Sequence, residues 1–144
     1  MINNDTIELL KECNAGIKMG IGAIDDVLDH THDDTFRELL AKCREEHQKL
    51  ETETKEILND YDDSGKEPNP VAKGMSWIKT NVMLAVDPQD STVADLITDG
   101  CNMGVKSLNK YLNQYEAAEE KVKDITKRLI NLEEKLTVDI REFL

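Results

Sequence analysis

Apolar residues return at steps of three and four along almost the whole chain, which limits it to amphipathic helices. Ile7, Leu10, Ile17, Ile21, Ile24 and Leu28 make one such stripe and predict a first helix over about 5–29. Asp5 and Glu8 are spaced as a capping box at its start. A second stripe, Phe36, Leu40, Cys43, His47, Leu50, Thr54, Ile57 and Tyr61, predicts a helix beginning near Asp34 or Thr35, with Thr35 and Glu38 as its box. After Tyr61 the run Asp62-Asp63-Ser64-Gly65-Lys66-Glu67-Pro68-Asn69-Pro70 collects turn formers and two prolines and cannot stay helical. A shorter helix is expected over about 71–86, ended by Asp87-Pro88. Ser91 or Thr92 is the expected cap of a third long helix carrying Ala94, Ile97, Cys101, Gly104, Leu108, Tyr111 and Tyr115. The last stripe is Val122, Ile125, Leu129, Leu132, Leu136, Ile140 and Phe143. No helix breaker separates these two, yet one straight helix from Thr92 to Leu144 would measure about 80 Å and could not close a core. A turn is therefore expected within Glu116-Ala117-Ala118-Glu119-Glu120.

An internal repeat agrees with this folding back. Cys13-Asn14-Ala15-Gly16-Ile17-Lys18 matches Cys101-Asn102-Met103-Gly104-Val105-Lys106 at a separation of 88 residues, and Glu45-Glu46 meets Glu133-Glu134 at the same separation. Two matches at one offset point to a duplicated helical hairpin. The chain then reads as one domain over 1–144: a hairpin at about 5–62, a crossover with a short helix at about 63–90, and a second hairpin at about 91–144. A crossover that long is more than an up-down turn needs, and it brings the third long helix in parallel to the second. The expected fold is all-α, a four-helix bundle with one long crossover, which is the ferritin-like arrangement.

Charge and composition narrow the partners. The formal net charge of −12 disfavours nucleic acid and anionic membrane surfaces, which require basic footprints. No signal peptide or apolar run of membrane-spanning length is present, and three cysteines are an odd number, so a reduced cytoplasmic setting is expected. Nucleophilic catalysis finds no Ser-His-acid grouping, phosphate-cradling glycine loop or Cys-x-x-Cys.

Two groups of potential metal ligands stand out. His47 lies four residues after Cys43 on one helix face, and Cys101 comes to a similar height on another helix, so a zinc or iron site at His47, Cys43 and Cys101 is conceivable. Cys13 sits roughly 10 Å lower by helical rise. The competing reading is a core histidine hydrogen-bonded to Asn14 or Asn102, with cysteines packed as small apolar groups. The second group is Asp29, His30, His32 and Asp33, within an acidic run that begins at Asp25. Acids at the negative end of the first helix are unfavourable there, so histidine protonation or a surface divalent cation is expected to relieve them. Gly16, Gly20 and Ala23 form a strip that permits close helix packing, and Trp77 is an expected anchor of the crossover.

The stripe beginning Phe36-Arg37-Glu38-Leu39-Leu40, the segment Gly74-Met75-Ser76-Trp77-Ile78-Lys79 and the stretch from Gly104 to Tyr111, in that order, resemble the ferritin-like, rubrerythrin-type superfamily. The likeness covers nearly the whole chain and is closest to a bacterial domain family of unknown function within it. It implies a di-iron site with a Glu from each of two helices and a Glu-x-x-His from each of the other two. Carried onto this chain, the second-helix motif falls on Arg44 and His47, the first-helix Glu at or near Asn14, and its third-helix counterpart near Cys101 or Gly104. The last helix offers Glu133 and Glu134 but no histidine. The expectation is a non-enzymatic scaffold or interaction module without a cofactor, homodimeric as such bundles often are. The alternatives are a metal-binding or redox protein using His47, Cys43 and Cys101, and a small apolar ligand held near Trp77.

Overall fold

The computed structural model describes residues 4–61 and 89–144. They form four long helices: α1 (Asn4–Leu28), α2 (Asp34–Asp60), α3 (Asp90–Gln114) and α4 (Glu120–Asp139). A single 3-10 turn, Arg141–Phe143, follows. The described residues contain no strand, as the helical periodicity predicts. The expected short helix at 71–86, with Trp77, lies outside the described residues.

The helix ends show how the chain runs. At one end the carboxylate of Asp90, the first residue of α3, accepts the backbone N–H of His32 (2.7 Å) and Asp33 (2.9 Å) in the α1–α2 turn. At the other end Tyr61 donates its hydroxyl to Glu119 (3.1 Å). There too the N–H of Ala117 reaches Asp5 (3.1 Å), and that of Glu119 reaches the Thr6 hydroxyl (2.9 Å). Hence α2 and α3 both start at the first end and run parallel, with Tyr61 and Gln89 at opposite ends of the bundle. Each helix packs against antiparallel neighbours, α1 with α2 and α3, and α4 with the same two, while α1 and α4 also touch across the diagonal.

The caps differ from the sequence expectation at three places. Asp33, not Thr35, caps α2: its side chain accepts the N–H of Phe36 at 2.9 Å. α3 begins one residue before Ser91, at Asp90, and its N-cap residue Gln89 makes no side-chain cap bond. The acid that a capping pattern would use locally is Asp90, and it is spent on the neighbouring turn instead. Likewise Asp5 serves the α3–α4 turn rather than its own helix start alone. That turn falls where expected, between Gln114 and Glu120, with Ala118 buried beneath it.

Two apolar clusters fill the interior. Toward the Asp90 end lie Val27, Phe36, Leu40, Ile97, Leu136 and Ile140 with their neighbours. Toward the other end lie Leu9, Leu10, Ile17, Leu58, Ile125 and Leu129. The last turn folds Phe143 back on Phe36, the rings stacked nearly parallel with centroids 4.5 Å apart, which covers the first cluster. On the surface Arg128 of α4 grips Glu53 of α2 through both terminal guanidinium nitrogens, at 3.0 and 2.6 Å.

Replacing Asp90 by Ala removes two charge-assisted bonds that hold the start of α3 to the α1–α2 turn. We expect a loss of about 1–2 kcal/mol in urea unfolding. The exposed Asp99→Ala on the same helix should stay within about 0.5 kcal/mol.

Candidate functional site

The apolar stripes of α2 and α4 each carry one ionisable residue into the core. On α2 the inward positions Phe36, Leu40, Cys43, His47, Leu50 and Thr54 alternate steps of four and three, which puts the imidazole in line with the core. On α4 the steps Leu129, Glu133, Leu136 and Ile140 do the same for a carboxylate. His47 is 2% exposed and Glu133 8%. The sequence reading names Glu133 only together with Glu134 and does not single it out as the inward member. Its partner Glu134 is exposed, and the pair reads as one charged face unless the spacing from Leu129 and to Leu136 is followed.

Both groups need room that only glycine leaves. A Cβ on Gly20 of α1 would lie 2.6 Å from His47 Nε2, and a Cβ on Gly104 of α3 would collide with the Glu133 carboxylate. The four helices therefore contribute one residue each: two polar side chains, and two bare backbones behind them. Part of the small-residue strip is explained by this packing within the bundle, since Gly16 also faces Leu129.

His47 Nδ1 is 2.8 Å from the Cys43 carbonyl oxygen, which can only accept, so Nδ1 carries a hydrogen. The same nitrogen lies 3.6 Å from Cys43 Sγ. Nε2 faces Glu133 Oε1 at 4.0 Å, an ionic contact too long for a direct hydrogen bond. Nε2 and Glu133 Oε2 have no hydrogen-bond partner among the described residues. Burial pushes the His47 imidazole down, but the Cys43 thiol and the Glu133 carboxyl outweigh it and raise it from 6.5 to about 10. Burial raises the Glu133 carboxyl, and His47 pulls it part of the way back. The two groups form a buried imidazole–carboxyl pair, in which either charge requires the other as its counterion.

The cysteines divide between the two clusters. Cys43 and Cys101 lie in the one toward the Asp90 end, and Cys13 lies in the other. Cys13 Sγ is 2.9 Å from the Thr126 hydroxyl, and burial raises its thiol to about 11. Burial, Glu133 and Cys43, in that order, raise the Cys101 thiol well above the ordinary range. All three are free. Of the expected histidine partners Asn102 is exposed and Asn14 is buried, and the groups seen flanking the ring are the Cys43 carbonyl and Glu133.

The acidic surface run is organised by side chains already in use. Asp33 caps α2, and Asp25 binds Arg44 at 2.6 Å. Arg37 donates to the carbonyls of Leu28 and Thr31 (the latter at 3.0 Å), supplying the cation that the C-terminal end of α1 calls for. Asp29 and His32 are exposed and His30 is half-buried. Among the described residues no group of three His, Cys, Asp or Glu is placed to hold a metal ion.

A di-iron centre does not fit these residues. Glu133 is the one buried carboxylate among those described, and Arg44 points outward to Asp25. Two hard dications need several carboxylates to balance them. Comparison with family models, with curated proteins and with solved structures gives no match to this chain.

The glycine geometry has a direct readout. Gly20→Ala should cost about 1–3 kcal/mol in thermal or urea unfolding, because the new methyl group overpacks the imidazole. Gly22→Ala, two residues on and with nothing within 4 Å of the new atom, should instead stabilise by about 0.5–1 kcal/mol.

Proposed function

We propose that this chain is a ferritin-like bundle that works as a non-enzymatic scaffold or interaction module, with the superfamily's di-iron centre replaced by the His47–Glu133 pair. The observation that carries the reading is the charge inventory of the core: one carboxylate, Glu133, already matched by one imidazole. The parallel course of α2 and α3, with antiparallel neighbours, supports the ferritin-like assignment. Among the described residues no helix is long and apolar enough to cross a membrane. The three free buried thiols fit a reduced cytoplasmic setting. Exposed Met19 on α1 and Met103 on α3 supply apolar contact area of the kind a homodimer would cover.

The geometry favours this reading over a zinc or iron site at His47, Cys43 and Cys101. Cys43 meets Nδ1, the nitrogen already committed to a backbone carbonyl, whereas the other nitrogen looks toward Glu133. The thiol and the carboxylate thus flank opposite edges of the ring and do not converge on one point.

Anaerobic loading with ferrous iron, followed by admission of air and absorbance measurement, tests the proposal. We expect fewer than two irons bound per chain and no fast oxidation phase. Two irons per chain with rapid oxidation would restore the oxidase class.

A further inference from the structure

The exposed face of α3 carries its charges in two blocks of opposite sign. Asp95, Asp99, Met103, Lys106 and Lys110 are all exposed and follow steps of four, four, three and four. That spacing puts them on one stripe, opposite the buried Ala94, Ile97, Cys101 and Leu108. On α2 and α4, opposite charges one turn apart bond one another: Glu46 with Lys49 at 3.1 Å, and Asp124 with Arg128 and Lys135 with Asp139 at 2.9 Å. On α3 the neighbours one turn apart repel, since Asp95 stands four residues before Asp99 and Lys106 four before Lys110. None of these four has an ion pair among the described residues. The helix dipole favours acids in a first turn and lysines in a last, but its field is confined to those turns. Asp99 and Lys106 stand in the middle of a 25-residue helix. Between the blocks Met103 is 57% exposed, more than any other large apolar residue of a described helix.

We propose that this stripe is a homodimer face, on which α3 of a second copy of the chain lies antiparallel about a two-fold axis passing between Asn102 and Met103. Asp99 precedes that midpoint by as much as Lys106 follows it, and Asp95 by as much as Lys110. Reversing one helix against the other therefore sets Asp99 opposite the partner's Lys106 and Asp95 opposite the partner's Lys110, and the two-fold repeats both contacts. Parallel copies would instead set acid against acid and lysine against lysine. Met103 and its copy meet beside the axis, which covers the apolar surface that the helix otherwise exposes. The stripe is neutral in a chain of net charge −12, so two copies meet on it without the repulsion that the whole chain's charge imposes. The occupant that matches a two-block helix is a two-block helix reversed, and every second copy supplies one. One helix against one helix is a small interface, so the dimer is weak and reversible. This face gives a surface and a register to the homodimer named under the proposed function, and it rests on that reading.

The test is sedimentation of the full-length chain between about 10 μM and about 1 mM, the range in which a weak pair assembles. The parent is expected to pass from monomer to dimer. Asp95→Lys with Asp99→Lys makes the stripe wholly basic, and Lys106→Glu with Lys110→Glu makes it wholly acidic. Each of these variants should associate at least about tenfold more weakly than the parent. Mixed in equal amounts they should form a heterodimer, since every contact is then between opposite charges. All the changed positions are exposed, and thermal melting followed by circular dichroism confirms folding. Asp99→Lys with Lys106→Glu in one chain exchanges the signs of the inner contacts and should dimerise within about threefold of the parent. A parent that stays monomeric overturns this face and the homodimer together. A dimer that persists in either one-signed variant overturns the face and leaves a homodimer through another surface. Folded one-signed variants that fail to pair on mixing, or an exchange variant that stays monomeric, also overturn it.

Discussion

Burying one carboxylate and one imidazole at the centre of a four-helix bundle fixes more of this structure than any apolar contact does. A leucine tolerates a shift of neighbour, whereas a buried charge must have its counterion within a few ångströms or be neutralised. His47 and Glu133 come from helices that are distant in sequence, so their meeting sets the register of α2 against α4. Gly20 and Gly104 extend that constraint to α1 and α3, whose backbones must come close enough to seat the two side chains. The apolar clusters on either side supply most of the stabilisation but little of this specificity.

The ends of the bundle are tied by hydrogen bonds rather than by packing alone. Asp90 joins the start of α3 to the first turn, while Asp5, Thr6 and Tyr61 gather around the second. These ties explain why acids are spent away from their own helices. They also resolve the crowding of carboxylates near Asp25, because Arg44 and Arg37 arrive from the next helix with the missing positive charge. Sequence proximity showed only the repulsion, since both cations lie on the far side of a turn.

Helix positions were legible because the apolar stripes are regular, and the turn at 115–119 was legible from the length a straight helix would need. Caps were less so: a Ser, Thr or Asp near a helix start can bond its own backbone or a neighbour's, and local spacing does not distinguish these. Asp33 and Asp90 show both outcomes a few ångströms apart. At the core, His47 could be placed from its spacing to Cys43. Glu133 was hidden by the Glu133-Glu134 doublet and by Leu132, which offered the stripe an apolar member one position away. Its counterpart could be found only by bringing α2 and α4 together. Glycine gave the remaining signal, as a residue that leaves room, but what fills that room depends on the tertiary neighbour.

A double-mutant cycle of His47→Leu and Glu133→Leu, measured by urea unfolding, tests the central pair most directly. Each single change strands a buried ionisable group and should cost about 3 kcal/mol, whereas the double mutant should lie within about 1 kcal/mol of the parent or above it. The imidazole is raised in the fold, so its contribution is fully present below its unfolded value of 6.5 and is lost as pH climbs through about 10. The coupling should therefore be large at pH 6 and shrink above pH 10. Single losses that simply add in the double mutant, with a coupling independent of pH, would contradict the account.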